Sequence, residues 1–247
     1  MADRVTRRWK FAQIMTITTQ SPLSLLSAPP KRSLSDEVVD RLREAIISGA
    51  MPQGERLREE TLAETLQVSR GPIREALTKL EREGLVAISP NRGATVARLS
   101  REDLDEVYSL RFAMESLAVR LSAKTADAAC LAEMESCVHK MGDALTHGAD
   151  AIRKTAELDV RFHKKLVQSC GHKLLLRHWT ELRPQIHWLL LQRNISDPDF
   201  RDYAVSTHSI ILNAIRDHDE SRALHELDQH LRGSYTRVAG SYTKTKP

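Results

Sequence analysis

Four side chains in the C-terminal half of the chain have the types and the spacing of metal ligands. Asp159 and His163 are four residues apart in AELDVRFHKKL, so both side chains leave the same side of one predicted helix. His208 and His230 each fall on the apolar stripe of a further predicted helix. One carboxylate and three inward-facing imidazoles suit a borderline divalent cation such as zinc, nickel or manganese.

The residues alone leave a second interpretation of this cluster open. A single histidine on an apolar helix face is more often a packed core residue than a metal ligand. His225 shares a predicted helix with His230 but lies on its polar side. The remaining histidines have no partner at ligand spacing and are interpreted as surface or helix-end residues: His139, His147, His172, His178, His187 and His218.

A second set of candidate functional residues lies in Leu57–Val86. This stretch predicts two short helices joined by a tight turn and followed by a strand. Ser69 is placed to cap the second helix, and Gly71 lies in its first turn. Apolar side chains recur at helical spacing on one face of this helix, whereas Arg70 and Arg74 lie four residues apart on another. Such a helix suits reading of the DNA major groove. The charge pattern alone equally allows an ordinary solvent-exposed face.

A β-hairpin is predicted directly after these helices. Val86–Ser89 and Ala94–Ala97 are short β-type runs, and the PNRG sequence between them consists largely of turn-forming residues. Arg92 and Gly93 lie at the predicted tip, where an arginine can enter a minor groove or contact a phosphate. An ordinary exposed turn arginine is the alternative.

The sequence VSRGPIREAL, preceded by LAETL and followed by LEREGLV, resembles the winged helix-turn-helix of GntR-type bacterial transcription regulators. Position by position, the resemblance implies that Arg70 and Arg74 contact DNA, with Ser69 and Gly71 in the same DNA-facing segment. Glu60 stands where relatives can carry a DNA-contacting arginine. Base specificity therefore cannot be transferred from any relative.

The sequence LDEVYSLRFAMESLAVRLSA resembles the start of the all-helical effector domain in the FadR branch of this family, which extends the resemblance over residues 33–237. The residues Asp159, His163, His208 and His230 match the metal-binding pattern of one branch, so the resemblance implies a divalent metal there. Four protein ligands leave one or two positions open on a five- or six-coordinate metal, and we expect a small carboxylate effector to fill them. Arg111 lies where relatives direct an arginine into the cavity; an exposed arginine paired with Glu115 is the alternative. Acyl-CoA-binding members lack the metal set, so we do not expect a fatty acyl-CoA effector.

The composition favours a mainly α-helical protein, because hydrophobic residues make up 41% and aromatic residues only 4% of 247 residues. We predict four segments: a disordered N-terminal arm (1–32), a winged helix-turn-helix domain of three helices and a hairpin wing (33–98), an all-α bundle of six or seven helices (101–238) and a flexible tail (239–247). In the winged domain, a loop connects predicted helices at 33–49 and 59–66. In the bundle, the predicted helices are approximately 101–123, 127–147, 150–169, 172–193, 199–217 and 219–238.

The cysteines and the apolar stretches indicate the cellular compartment in which we expect the protein. Cys130, Cys137 and Cys170 have no CxxC spacing and form no even disulfide set, which favours a reducing cytoplasm. The sequence contains no run of 18 apolar residues, so it predicts no membrane span. The N-terminus lacks the continuous apolar stretch of a signal peptide, and translation from Met15 is a further hypothesis.

These features predict a homodimeric transcription factor rather than an enzyme, most simply a repressor bound to a palindromic operator and controlled by a small carboxylate at the metal. Two alternatives stay open. The first is a metal-dependent hydrolase, although the sequence contains no HExxH motif. The second is a non-specific nucleoid-type DNA-binding protein, which would leave the electrically neutral region 101–247 without an evident purpose.

Overall fold

The computed structural model describes residues 33–146, 151–191 and 200–242. The predicted arm of residues 1–32 with its alternative start at Met15, His147 and the last five residues of the predicted tail lie outside this part of the chain. Across the described residues the protein is mainly α-helical with one small antiparallel sheet, which confirms the predicted fold class. None of the described helices is both long and apolar enough to span a membrane.

The winged domain contains three helices and a three-stranded sheet. Its elements in chain order are α1 (Leu34–Ile47), β1 (Arg56–Leu57), α2 (Glu59–Leu66), α3 (Arg70–Arg82), β2 (Val86–Ser89) and β3 (Gly93–Val96). The strands are antiparallel in the order β1-β3-β2, so the hairpin of β2 and β3 forms the predicted wing. The apolar faces of α1 and α3 pack against each other, which leaves the arginine-bearing face of α3 exposed.

Strand β1 differs from the sequence-based prediction, which placed a loop between α1 and α2. Arg56 and Leu57 pair with Thr95 and Ala94 of β3, and Leu57 is buried. The pairing satisfies backbone groups at the outer side of β3 and adds an apolar side chain to the core. A two-residue strand is too short to show the alternation by which strands are predicted.

The start of α3 also corrects the sequence-based prediction. Ser69 has the extended backbone of an N-cap (φ −71°, ψ 166°), but its hydroxyl accepts no hydrogen bond from the helix. An N-cap side chain normally accepts from the N–H of the second or third helical residue. The third residue here is Pro72, which has no N–H, so one of the two usual capping donors is missing.

The helical domain consists, within the described residues, of six helices. They are α4 (Arg101–Thr125), α5 (Ala128–Ala144), α6 (Ala151–Ser169), α7 (Lys173–Leu191), α8 (Phe200–Arg216) and α9 (Glu220–Tyr242). Helix α4 begins at a capping box, in which the backbone N–H of Asp103 donates to Ser100 Oγ at 3.1 Å and that of Ser100 donates to Asp103 Oδ2 at 2.7 Å. Helix α4 then packs against α6, α7, α8 and α9, so it runs through the middle of the domain.

Helix α9 continues to Tyr242, so the predicted flexible tail is wrong for its first four residues, 239–242. The physical reason is burial. Val238 is fully buried and Ala239 is 7% exposed, and both belong to the core of the domain. The apolar stripe therefore continues past the predicted end of the helix.

The winged domain contacts the helical domain through α1 and α7. One contact within the winged domain and one further contact between the domains lie where α3 ends. Arg43 Nε donates to Glu83 Oε2 at 2.7 Å and ties α1 to the end of α3. Gln185 of α7 lies against Gly84, where φ is +69° and a Cβ atom would collide with the glutamine side chain. The left-handed backbone at position 84 favours glycine, and a larger residue there would also displace the Gln185 side chain.

Candidate metal centre and DNA-contacting surface

The four predicted ligands come together inside the helical domain. Asp159 and His163 lie on α6, His208 on α8 and His230 on α9, and all four side chains are buried. One possible ligand atom from each lies within 4.8 Å of all the others. The three helices thus bring together residues that are up to 71 positions apart in the sequence.

The nitrogens that converge are the Nε2 atoms of the three imidazoles. His163 Nε2 lies 3.1 Å from His230 Nε2 and 3.7 Å from Asp159 Oδ1. His208 Nε2 lies 3.8 Å from Asp159 Oδ2. The cavity beside them has a volume of about 10 Å³, which is room for about one water-sized sphere.

The outer ring nitrogen of each histidine faces an oxygen atom. His208 Nδ1 lies 2.6 Å from the backbone carbonyl four residues earlier. His230 Nδ1 lies 3.0 Å from Thr207 Oγ1, whose own proton goes to a backbone carbonyl. In His208 and His230 the Nδ1 therefore carries the proton, and Nε2 turns a lone pair towards the centre. His163 Nδ1 lies 2.7 Å from Glu115 Oε2, an ion-pair contact outside hydrogen-bond geometry. Metal-binding histidines typically have such outer partners.

This arrangement fits a divalent metal ion on chemical grounds. His163 Nε2 and His230 Nε2 lie 3.1 Å apart, and a cation bound beside them could accept a lone pair from each. Metal–nitrogen bonds of about 2.0–2.1 Å place neighbouring ligand nitrogens roughly 3 Å apart. The carboxylate of Asp159 adds the negative charge that such an ion requires. The described residues are therefore compatible with a metal site, and imidazole with carboxylate is a donor set that zinc, nickel and manganese accept.

Arg111 is fully buried next to this cluster, and both sequence-based interpretations of it describe part of its position. Its Nε donates to Glu115 Oε1 at 2.9 Å, so the pairing at i+4 exists. Its Nη2 lies 3.6 Å from Asp159 Oδ1, so the guanidinium also faces the cluster. Neither Nη1 nor Nη2 has a hydrogen-bond partner among the described residues.

The charges around the cluster stabilise one another. Burial lowers the pKa of Arg111, but the carboxylates of Glu115 and Asp159 outweigh burial and raise it above its ordinary value. Burial raises the pKa of Glu115, but Arg111 and His163 outweigh burial and lower it to about 2. Burial and the two neighbouring histidines hold the pKa of His230 well below its usual range. Glu115 is therefore ionised and His230 neutral, as metal binding requires.

Sequence reasoning missed the residues that orient the ligands. Glu115 holds Arg111, His163 and, through an indole N–H at 2.9 Å, Trp179. A signal for Glu115 existed, because Leu104, Arg111 and Glu115 fall on one buried stripe of α4. No comparable signal pointed to Trp179 or Thr207, whose roles depend on how the helices pack.

The two predicted DNA-reading arginines lie on the exposed face of α3. Arg70 Nη2 is 2.9 Å from Glu60 Oε1, and Arg74 Nε is 2.6 Å from Glu59 Oε2. The side chains of Arg70 and Arg74 nevertheless remain 55% and 65% exposed. Both arginines are thus accessible to a nucleic acid, but each is paired with the first turn of α2.

The remaining predicted DNA-facing residues are exposed as well. Ser69 and Gly71 lie at the start of α3, and a Cβ atom at position 71 would meet nothing within 4 Å. Arg92 lies in the turn between β2 and β3, and Gly93 follows it with φ of +81°. The structure therefore puts the tip of the wing and the start of α3 on the surface.

A winged helix-turn-helix joined to an all-helical domain with a buried Asp/His cluster defines a class of two-domain DNA-binding regulators. The comparison with known families agrees with this class. Residues 34–96 match the family described as "Bacterial regulatory proteins, gntR family", and residues 106–233 match the FCD domain. The chain belongs to the GntR family of transcription regulators, with a C-terminal FCD domain, which confirms the predicted membership.

Individual relatives are similar over most of the chain. The HTH-type transcriptional regulator YdhC of Bacillus subtilis is 34% identical over 146 residues, which is 58% of this chain and 65% of the relative. The gluconate operon transcriptional repressor of Bacillus licheniformis is 28% identical, with 81% and 83% covered. The structure of Escherichia coli McbR/YncC superimposes with a TM-score of 0.71 at 24% identity and covers 86% of this chain and all of that one. This last similarity shows the fold.

Proposed function

We propose that this GntR-family regulator is a homodimeric, cytoplasmic repressor that binds a palindromic operator and responds to a small carboxylate at a divalent metal, with zinc as the first candidate. The observation that carries the effector half of the proposal is the convergence of three buried imidazoles on one buried carboxylate, with the Nδ1 atoms of His208 and His230 donating outwards. A bound metal would supply a positive centre with coordination positions for a ligand oxygen.

The residues around the cluster favour an anionic effector. Arg111 brings a buried guanidinium with two Nη nitrogens that have no hydrogen bond among the described residues. Arg237 of α9 lines the same cavity, with its guanidinium 3.6 Å from the centre of the Tyr203 ring. These groups can donate hydrogen bonds to a carboxylate. Gluconate, after which the gluconate operon transcriptional repressor of Bacillus licheniformis is named, carries a carboxylate of this kind.

The small size of the cavity suggests how an effector changes the protein. The space of about 10 Å³ beside the ligands is too small for an organic acid. Tyr203 of α8 closes it on one side and donates from its hydroxyl to the carbonyl of His230 at 2.8 Å. An effector would therefore bind an arrangement in which α8 and α9 have moved apart. Differential affinity for two arrangements is what a regulatory ligand requires.

The DNA-binding half of the proposal assigns contacts to α3 and the wing. Arg70 and Arg74 would contact base edges or phosphates in the major groove, with Ser69 and Gly71 close to the backbone. Arg92, next to Gly93, would contact the minor groove or a phosphate. Two copies related by a two-fold axis would read the two halves of a palindrome.

The hydrolase alternative finds no support at this cluster. Glu115 is the carboxylate next to the candidate ligands, and a metal-dependent hydrolase would need such a group as a general base. Glu115 instead accepts hydrogen bonds from Arg111 and Trp179, and the guanidinium of Arg111 lowers the pKa of Glu115, which makes it a poor base.

Metal analysis of the purified protein tests the effector site. We expect about one divalent ion per chain by elemental mass spectrometry, and we expect His230→Ala to lose most of it, because a ligand is removed. His225→Ala is the matched control, since His225 lies on the same helix but is exposed. Equal metal content in the two variants would contradict the proposed site.

A thermal-shift screen of small carboxylates, with and without chelator, tests the role of the metal in effector binding. We expect sugar acids and dicarboxylates to raise the melting temperature of the metal-loaded protein. The increase should disappear after complete metal removal. A shift of the same size in metal-free protein would rule out metal-mediated binding and leave the arginines as the binding groups.

A further inference from the structure

A second cavity lies between the two domains, separate from the Asp/His cluster. Its volume is about 460 Å³, within the range of small-molecule sites. Arg43 and Ile47 of α1 form one wall, and residues of α6 and α7 form the others. The cavity thus joins the winged domain to the helical domain, and we call it the interdomain cleft.

The interdomain cleft is strongly cationic. One carboxylate, Glu157, lines it, and this group is already paired with Arg153 at 2.9 Å. Five basic side chains also line the cleft: Arg43, Arg161, Lys164, Lys165 and Arg183. A protein whose overall net charge is only +4 therefore concentrates positive charge at one concave place.

Three of these cations have no partner of their own. Arg43 donates to Glu83, and Lys165 is paired with Glu133. Arg161, Lys164 and Arg183 make no ion pair and no side-chain hydrogen bond with any other residue of the described chain.

Burial and mutual repulsion make this arrangement costly. Lys164 is partly buried, and it lines the same cavity as Arg183, Lys165 and Arg161. Burial and Arg43 lower the pKa of Arg183, with only Glu83 acting in the opposite direction. Half-buried like charges that repel one another are stabilised by a bound anion.

We propose that the interdomain cleft binds a small organic phosphate with two or more negative charges. A phosphate monoester carries a charge of about −1.5 to −2 at neutral pH, which matches three unpaired cations better than the single charge of a monocarboxylate. Arginine and lysine together are a common phosphate-binding pair, the first by its fork of donors and the second as a point charge. Ile47, Val160 and Pro184 supply apolar wall for the organic part of the ligand.

The position of the cleft gives such a ligand access to both functions of the protein. Helix α6 carries Asp159 and His163 on its inward side, while Val160 and Lys164, each the next residue, line the cleft. On the other side, Arg43 connects the cleft to Glu83 at the end of the DNA-reading helix. A ligand that bridges α1 to α6 and α7 would hold the domains in one relative orientation, and operator affinity would change with it.

Calorimetric titration of the full-length protein tests the proposal. Fructose 1,6-bisphosphate and inorganic phosphate are the anionic probes, and fructose is the uncharged control. We expect the bisphosphate to bind more tightly than phosphate, and fructose not to bind. The Lys164→Gln/Arg183→Gln variant should bind the bisphosphate at least about tenfold more weakly, since two charge-assisted hydrogen bonds are removed.

Matched controls separate the cleft from a general effect of charge. Lys154→Gln and Arg177→Gln remove exposed cations from α6 and α7 outside the cleft, and should leave bisphosphate binding unchanged. The double cleft variant should melt at the same temperature as the wild type or higher, because it removes repulsion. An equal loss of binding in the control variants would contradict the proposal.

Two further outcomes would overturn it. Bisphosphate binding that is lost in His230→Ala but kept in the cleft variant would place the ligand at the metal centre instead. Binding of neither phosphate probe, together with uniformly weaker binding of all DNA sequences by the cleft variant, would identify the cations as DNA phosphate contacts. Because the probes are measured without DNA or carboxylates, the result is independent of the proposed carboxylate effector.

Discussion

At the scale of single residues, Glu115 has the largest influence on the candidate metal centre. It is not a candidate ligand, yet it accepts from the guanidinium of Arg111 and the indole of Trp179 and lies 2.7 Å from His163 Nδ1. One carboxylate thus contacts a ligand and neutralises a buried cation. A defect at position 115 should therefore affect both metal affinity and stability.

Replacement of Glu115 by glutamine tests this double role. The side-chain shape is kept, but Arg111 loses its closest carboxylate, and breaking a buried pair from one side costs about 3–5 kcal/mol. We expect urea unfolding of metal-free protein to show this loss. Metal affinity should fall by about 10–100-fold, the usual effect of losing an outer partner. Glu102→Gln, an exposed glutamate on the same helix, is the control and should change neither quantity.

The acidic pair at the start of α2 offers a second test at the residue scale. Glu59 and Glu60 hold Arg74 and Arg70 in the free protein, so the proposed contacts of these arginines with DNA require the ion pairs to break or rearrange. We expect Glu59→Gln/Glu60→Gln to bind DNA more tightly. The gain is only a few-fold, because exposed ion pairs are each worth about 0.2–1 kcal/mol.

Fluorescence anisotropy at one fixed salt concentration measures this gain, with an operator duplex and a random duplex in parallel. Glu64→Gln lies on the exposed side of the same helix and controls for the loss of negative charge. Weaker binding by the double variant would show that the glutamates position the arginines for DNA rather than compete with it.

At the scale of the elements, the sequence predicted most helices because their apolar stripes are regular. The bounds of α2 agree with the prediction to the residue. The sequence-based predictions were wrong where a neighbouring residue or a tertiary contact overrode a local sequence preference. Pro72 removed one donor that Ser69 could have capped, and buried Val238 and Ala239 extended α9.

The same division explains how much of the candidate site was predictable. Asp159 and His163 share a helix face, and His208 and His230 fall on apolar stripes, so helical periodicity alone places all four inwards. The interdomain cleft was not predictable, because its walls come from three helices of two domains. Which helix faces meet is a property of the packing and not of any one segment.

At this scale we also predict which residues on the exposed face of α3 contact DNA. Arg74→Ala should weaken operator binding by about 1–3 kcal/mol if the guanidinium contacts a base edge, and should reduce discrimination against mismatched sites. Arg82→Ala is the control, since Arg82 is exposed at the other end of the same helix. Unchanged operator affinity of the Arg74 variant at matched salt would exclude a base contact.

At the scale of the whole molecule, the distribution of charge limits what one winged domain can do. Residues 31–100 carry nearly equal numbers of basic and acidic side chains, and residues 101–247 are balanced. General attraction to the phosphate backbone is therefore weak. In the proposed dimer, tight binding would come from specific contacts made twice, by two domains held at a fixed distance.

A duplex with one scrambled half-site tests this consequence for the proposed dimer. Loss of one set of base contacts removes the second, effectively intramolecular binding event, so we expect affinity to fall by at least about a hundredfold relative to the intact palindrome. Moving the two half-sites apart by half a helical turn should have a similar effect, because the helical domains set the distance between the two copies of α3. Equal affinity for the intact and the scrambled duplex, measured at the same salt concentration, would show that a single winged domain suffices. In that case the helical domain could not control DNA binding through spacing.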